Sequence, residues 1–200
     1  ATGMNISVGR ISLSFPLNLV VTNVDAASPH NDTLLSVRRL QVNVQLLPLL
    51  KKLLVLAKQY NIGLNIDAEE TDRLELSLDL MEALAFDKDL DGFEGIGFVV
   101  QAYQKRCPFV IDYLIDLARR SNRKFMVRLV KGAYWDSEIK RAQVDGMPGF
   151  PVYSRKVYTD VSYLMCAQKL LAVTDVIYPQ FATHNALTLS TIYSWAQEAK

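Results

Sequence analysis

Cysteine and histidine are scarce, at two each in 200 residues: Cys107, Cys166, His30 and His184. Two thiols cannot form a disulfide framework, and their scarcity suits a reducing cytoplasm, the expected location. So few His and Cys leave no set for the usual zinc sites, and no metal is expected. Excess charge of one sign is also missing. Twenty-two basic residues face 21 acidic ones, for a net charge of +1. No broad field therefore argues for nucleic acid or for an anionic membrane surface. Long apolar runs are absent too. The longest candidate, ISLSFPLNLVV, is interrupted by Pro16 and Asn18 and falls short of the ~20 apolar residues a spanning helix needs. It also lacks the ordered regions of a signal peptide.

What is present is ordinary for a globular chain: half the residues are hydrophobic and 22% are charged. From Leu46 onward a helical stretch, a short apolar strand and a polar turn recur. QLLPLLKKLLVLAKQY predicts a helix and IGLNID a strand. EETDRLELSLDLMEALAF predicts a helix with acids at its N-terminal turn, where the helix dipole favours them. GIGFVVQAY is the next strand, and Pro108 opens a helix over FVIDYLIDLARRS. KFMVRLV is a strand, and Ser137 to Gln143 a helical turn or two. KVYTDVSYLMCAQKLLAV is a helix, DVIYPQFATHN a strand, and ALTLSTIYSWAQEAK a closing helix. Alternating strands and helices imply parallel strands with right-handed crossovers.

Two architectures fit that pattern, an open doubly wound sheet and a (β/α)8 barrel. A dinucleotide fold would carry G-x-G-x-x-G after its first strand, and none occurs there. Gly95 and Gly97 stand at the start of their strand, as punctuation. The barrel is favoured because each clear strand ends in groups able to do chemistry. These are Asp67, then Gln101 and Tyr103, then Arg128 and Lys131, then Thr183 and His184. Barrel enzymes build their sites on that face from several strands. A whole barrel takes about 250 residues. The expectation is therefore a partial α/β barrel, with four strands and a fifth near the N-terminus.

Arg128 is the most informative position. Alternation places Met126, Arg128 and Val130 on one face of the strand, and an inward guanidinium needs a carboxylate, a ligand or water. One reading is an ion pair with an inward acid such as Asp67; the other is a ligand. The following VKGAYWD offers a glycine at Gly132 and flat surfaces at Tyr134 and Trp135, and Lys131 can reach a phosphate or carbonyl. An ordinary strand-to-helix turn would read the same way, and Lys131 also admits a Schiff-base enzyme. Asp67 is either a ligand for a cation or amine or a helix cap. Gln101, polar within an apolar strand, needs a partner, and its amide could meet a heterocycle carbonyl. His184 is either a structural or capping histidine or a ligand-binding one. The basic residues Lys105, Arg106, Arg119, Arg120, Arg123 and Lys124 read as solvated charge. Cys107 and Cys166 read as packing residues.

Four segments carry a resemblance: NIGLNIDAEETDRLELSLDLMEALAF, GIGFVVQAYQKRCPFVIDYLIDLARRS, RLVKGAYWDSEIKRAQVDGMPGFPVYSRKVYTDVSYL and YPQFATHNA. In this order and spacing they resemble the proline dehydrogenase domain of bacterial proline utilization A proteins, from about Leu46 to Lys200. The resemblance implies a distorted (β/α)8, TIM-like barrel of the proline dehydrogenase type holding FAD non-covalently. It implies oxidation of L-proline to Δ1-pyrroline-5-carboxylate, with hydride passing to flavin N5 and electrons onward to a membrane quinone. Arg128 would lie beside N5, and Val130, Lys131, Gly132, Ala133 and Trp135 would wrap the cofactor. Gln101 would face the isoalloxazine ring. Thr183 and His184 would hold the phosphate and adenosine side, helped by Ser154 in VYSRK. Asp67 and Tyr134 would belong to the substrate end.

Two departures accompany it. Residues 1–45 diverge from the family's first-strand region, which carries a Lys-Leu-Ser-Ala motif; this chain has no lysine before Lys51. Residues 46–200 then form a partial barrel. The family's later strands, and its helix with paired arginines for the proline carboxylate, have no counterpart before Lys200. Weak or absent FAD binding and no turnover are expected of the 200-residue chain taken alone, and a non-catalytic truncated product is the alternative. Relatives of this kind carry an aldehyde dehydrogenase module or dock on membranes, and some bear DNA-binding modules; none of these is visible in the segment.

Overall fold

A computed structural model describes residues 5–14, 18–27, 33–43 and 46–198. The chain divides into two compact units, Ala1–Lys52 and Leu53–Lys200. In the first, β1 (Asn5–Ser14), β2 (Asn18–Ala27) and β3 (Thr33–Asn43) form an antiparallel meander in the order β1-β2-β3. Val8 pairs with Val24, and Val24 with Val37. Among the described residues, the fifth parallel strand expected near the N-terminus is therefore not formed. Short connections between successive strands permit antiparallel pairing, whereas a parallel neighbour needs a long crossover. The boundary between the units falls inside α1 (Leu46–Gln59), a few residues beyond the expected break after residue 45.

The second unit is a four-stranded parallel sheet in the order β4-β5-β6-β7: Leu64–Ile66, Ile96–Gln101, Phe125–Val130 and Ile177–Phe181. The crossovers carry α2 (Leu74–Ala85), α3 (Cys107–Ser121), α4 (Trp135–Val144) and α5 (Lys156–Leu171); α6 (Ala186–Glu198) follows β7. All the expected strands and helices of this unit are present. The helical turn expected from Ser137 to Gln143 is part of a longer α4.

Strand register sorts the side chains into two faces. Gly97 pairs with Met126, Val99 with Arg128 and Gln101 with Val130, while Arg128 pairs in turn with Gln180. Those residues share one face, on which Met126, Arg128, Val130 and Gln180 are half-buried. The other face carries Phe98, Val100, Phe125, Val127, Leu129 and Ile177, all buried with Leu114, Leu117, Tyr163 and Leu170 from the helices. Burying each such large apolar side chain stabilises the fold by about 1.5–3 kcal/mol. The core thus lies between sheet and helices, and the strands' polar positions face the other way.

One basic residue belongs to the core rather than to solvent. Asn122 ends α3 in the left-handed conformation (φ 51°), turning the chain back under the loop after α2. The Arg123 side chain is only 6% exposed. It donates to the carbonyls of Ala85, Leu90 and Asp87 and pairs with Asp91 at 2.7 Å. The solvated reading of Arg123 is corrected accordingly: carbonyls left over where helices end need donors, and a guanidinium supplies several at once.

Candidate functional site

A cavity of about 870 Å³ opens at the C-terminal ends of all four parallel strands. Asp67 and Ala68 reach it from the end of β4 and Gln101 from β5. Val130 to Tyr134 continue β6 into it, Phe181 to Asn185 continue β7, and Lys156 contributes from the start of α5. Nine of the expected site residues line it: Asp67, Gln101, Val130, Lys131, Gly132, Ala133, Tyr134, Thr183 and His184. Three do not. Arg128 lies two residues below Val130 on the same strand face. Trp135 donates its indole N–H to the Tyr153 carbonyl at 2.9 Å, and Ser154 is exposed.

Arg128 Nε donates to Gln180 Oε1 at 3.3 Å, and Arg128 makes no ion pair among the described residues. The reading in which Asp67 neutralises it is therefore not realised. Asp67 is exposed and accepts the Ala68 N–H at 2.9 Å. The helical turn Thr71–Arg73 begins after Glu70, so Asp67 is not its cap. His184 is likewise not a cap. Asn185 Oδ1 accepts the Thr188 N–H at 2.9 Å, and His184 stands exposed with no hydrogen bond among the described residues.

Gln101 is 5% exposed, and both ends of its amide have partners within the protein. Its Nε2 donates to the Glu69 carbonyl at 2.8 Å, and its Oε1 accepts the Ala133 N–H at 3.4 Å. The amide thus ties the loop after β4 to the loop after β6. A second tie runs from Tyr134 Oη to Glu69 Oε2 at 3.0 Å, and that hydrogen bond holds the Tyr134 phenol above its usual value.

Lys131 Nζ donates to Asp160 Oδ1 at 2.5 Å, and Lys156 Nζ lies 2.8 Å from Asp160 Oδ2. Burial alone would raise the Asp160 carboxyl, but the two lysine hydrogen bonds outweigh it and leave the group below its ordinary value. Two ammoniums sharing one carboxylate leave a net positive charge beside the cavity. An ammonium held this way is not a free amine, so the geometry gives no support to a Schiff-base role for Lys131.

Gly132 has φ +130°, and a Cβ there would collide with the ring of Tyr103. The glycine is thus required by a core neighbour, not only by a ligand approaching the backbone. The Tyr103 phenol is buried without a partner among the described residues, and burial pushes it up to about 12.

Sequence reasoning missed Glu69, Glu138, Asp160 and Gln180 as parts of this assembly, and reached Lys156 only as the last residue of VYSRK. Gln180 had a local signal, since alternation in IYPQF puts it beside Tyr178 on the polar face, and Lys156 and Asp160 pair at i,i+4. Glu69, Glu138 and Asp160 also take partners 29 to 67 residues away. The cavity's donors suit a flavin nucleotide. A net positive lysine pair and Thr183 are placed for phosphate, Phe181 and Val130 offer apolar walls, and the volume is that of an ordinary ligand site.

Comparison with known proteins gives concordant results. A family model described as proline dehydrogenase matches residues 17–200, beginning within the segment whose sequence diverges. The chain is 71% identical over 156 residues to the bifunctional protein PutA of Klebsiella aerogenes, covering 78% of this chain. It spans only 12% of that relative's length. Among solved structures, a mutant of Bradyrhizobium japonicum proline utilization A superposes with a TM-score of 0.74 at 55% identity, covering 76% of this chain and 16% of that one. Proline utilization A from Bdellovibrio bacteriovorus, inactivated by N-propargylglycine, gives 0.73 at 32% identity, with the same two coverages. Among the described residues, no helix is long and apolar enough to cross a membrane.

Proposed function

The chain belongs to the proline dehydrogenase family, a family of flavoenzymes, and we propose that its parallel-stranded unit is the cofactor-holding part of an FAD-dependent L-proline dehydrogenase. The observation that carries this is the convergence of Gln101, Lys131–Tyr134 and Thr183–His184 on one cavity at the strand ends. Bound FAD would supply a two-electron acceptor for the hydride on the proline carbon beside the ring nitrogen, and loss of the nitrogen's proton to solvent would complete Δ1-pyrroline-5-carboxylate.

The protein's part is binding, orientation and charge. Arg128, lacking a carboxylate and steadied by Gln180, holds a positive charge beneath the cavity floor, where it favours negative charge arriving on a bound ring. Lys131 and Lys156 leave one net positive charge for a phosphate, with Thr183 and His184 completing that side. Asp67 offers a carboxylate to the substrate's ring nitrogen. Tyr134, its phenol kept protonated by Glu69, presents an aromatic wall at the same end. Trp135 and Ser154 would support the cofactor from outside the cavity, through the segment Trp135 hydrogen-bonds.

On this reading residues 46–200 supply barrel elements and residues 1–45 stand in place of the first-strand region. Electrons pass onward to a membrane quinone from a cytoplasmic enzyme that docks peripherally. The parent chain carries an aldehyde dehydrogenase activity elsewhere, in keeping with the relative's name "bifunctional". The test is flavin content together with proline-dependent dye reduction in a chain extended through the family's later strands and paired-arginine helix. In that extended chain Arg128→Met is expected to keep bound flavin while slowing dye reduction by about 10²–10³-fold. Extended protein purified without flavin and unable to take it up would overturn the proposal.

A further inference from the structure

Glu138 lies in the first turn of α4, outside the cavity lining, and is 3% exposed. A carboxylate so buried must be hydrogen-bonded. Its two oxygens accept from a single residue: Oε1 from the Thr71 N–H and Oε2 from the Thr71 hydroxyl, each at 2.7 Å. Thr71 closes the loop that begins at Asp67, and Arg106 donates to the Thr71 carbonyl from the other side. The same loop is tied upstream by Gln101 at the Glu69 carbonyl and by Tyr134 at the Glu69 carboxylate. Glu138 and Tyr134 are themselves joined, since the Glu138 N–H donates to the Tyr134 carbonyl at 2.9 Å. The loop after β4 and the turn after β6 are therefore cross-braced, and Glu138 makes the brace farthest from the cavity.

We infer that Glu138 is a positioning residue, whose carboxylate fixes Thr71 and thereby sets where Asp67 and the Glu69–Tyr134 pair stand at the substrate end. This rests on the proline dehydrogenase reading above. Released from Glu138, the loop keeps its upstream ties and is held at Thr71 by Arg106 alone. Asp67 and Glu69 then move together relative to the cavity, while Arg128, Lys131, Thr183 and His184 sit on other strands. The effect falls on substrate and not on cofactor retention.

The experiment compares Glu138→Ala, Glu138→Gln and Thr71→Val in the chain extended through the family's later strands and paired-arginine helix. Proline KM and kcat, bound flavin per chain and hydrogen exchange of the Thr71 amide are measured for each. Glu138→Ala is expected to raise KM by about 10- to 100-fold with kcat changed much less and flavin content unaltered. Thr71 exchange should quicken by at least about tenfold. Glu138→Gln still accepts from the Thr71 N–H, and its amide can donate to the hydroxyl, so KM and exchange should return to within about twofold of the original. Thr71→Val, which cannot leave a carboxylate without its backbone donor, should raise KM to a lesser extent, and it serves if Glu138→Ala does not fold. The inference is overturned if exchange quickens without a change in KM, or if neither changes. A glutamine variant as impaired as the alanine one would also overturn it, because charge and not tethering would then be at work. If the unaltered protein oxidises no proline, the functional reading fails instead, and Thr71 exchange still reports whether the tether exists.

Discussion

Replacing Gly132 by alanine incurs two independent costs that add. At φ +130° the backbone is in a region that alanine avoids, with a cost of about 1–3 kcal/mol. The added Cβ would also collide with Cγ and Cδ1 of Tyr103. That ring is 2% exposed and cannot swing into solvent, so relief requires repacking at about 1–3 kcal/mol. Together the two amount to roughly 2–6 kcal/mol, enough to threaten a domain whose total stability is about 5–15 kcal/mol. A double-mutant cycle separates them. Gly132→Ala is made in the native background and in Tyr103→Leu, and each stability is read from chemical denaturation. The steric part should vanish without the ring and the backbone part should persist. The alanine is therefore expected to cost about 1–3 kcal/mol less in the leucine background. An equal cost in both backgrounds would refute the collision, and a cost below about 0.5 kcal/mol in either would refute the backbone argument.

Tyr103 and Tyr163 are both pushed up to about 12 by burial. Their folded values exceed the ordinary 10, so the stability they contribute is complete below pH 10 and is lost as pH rises through 12. The free energy of unfolding should fall by about 1.4 kcal/mol per pH unit for each group in that window. Tyr163→Phe should remove one group's share of the slope, and an unchanged slope would refute burial as the cause. Arg123→Met leaves the carbonyls of Ala85, Asp87 and Leu90 without their shared donor. A loss on the order of 3 kcal/mol is expected by denaturation, and a loss under about 1 kcal/mol would mean that water replaces the guanidinium readily.

The parallel-stranded unit was legible because its signals are local. Apolar runs bounded by Gly and Pro gave the strands, and the period of the helices gave the crossovers. Alternation in MVRLV separated Arg128 from Val127 and Leu129, and burial along β6 follows that alternation. The site was half legible for the same reason: residues at strand ends could be named, but their partners could not. Glu138 meets Thr71 from 67 residues away, and Arg123 meets Leu90 from 33. Nothing in the sequence around Arg123 distinguishes a solvated arginine from one that fills a loop, since the difference is made by where the chain doubles back. The N-terminal strands were misjudged for another reason. In NISVGRISLS the apolar alternation changes phase across Gly9-Arg10, so no single buried face marks it as one of three antiparallel strands.

The half-exposed face of the sheet is where fold and function meet. A strand buried on both faces has no use for polar residues, yet Asn65, Gln101, Arg128 and Gln180 all occupy this face, one to each strand. For Gln101 the cost of burial is met by two loops that it joins. Arg128 has only a neutral amide at 3.3 Å, which cannot balance its charge. An arginine in that position is tolerated because water still reaches it, and its interactions strengthen when something drier and more negative covers it. The loops after β4 and β6 are cross-tied by Gln101 and Tyr134, and Lys131 is held through Asp160 of α5, so these positions are set before any ligand enters. Cross-tied loops around an arginine with no carboxylate beside it support the proposed reading of this face as a ligand site, because a fold stabilised for its own sake would have placed a carboxylate beside Arg128.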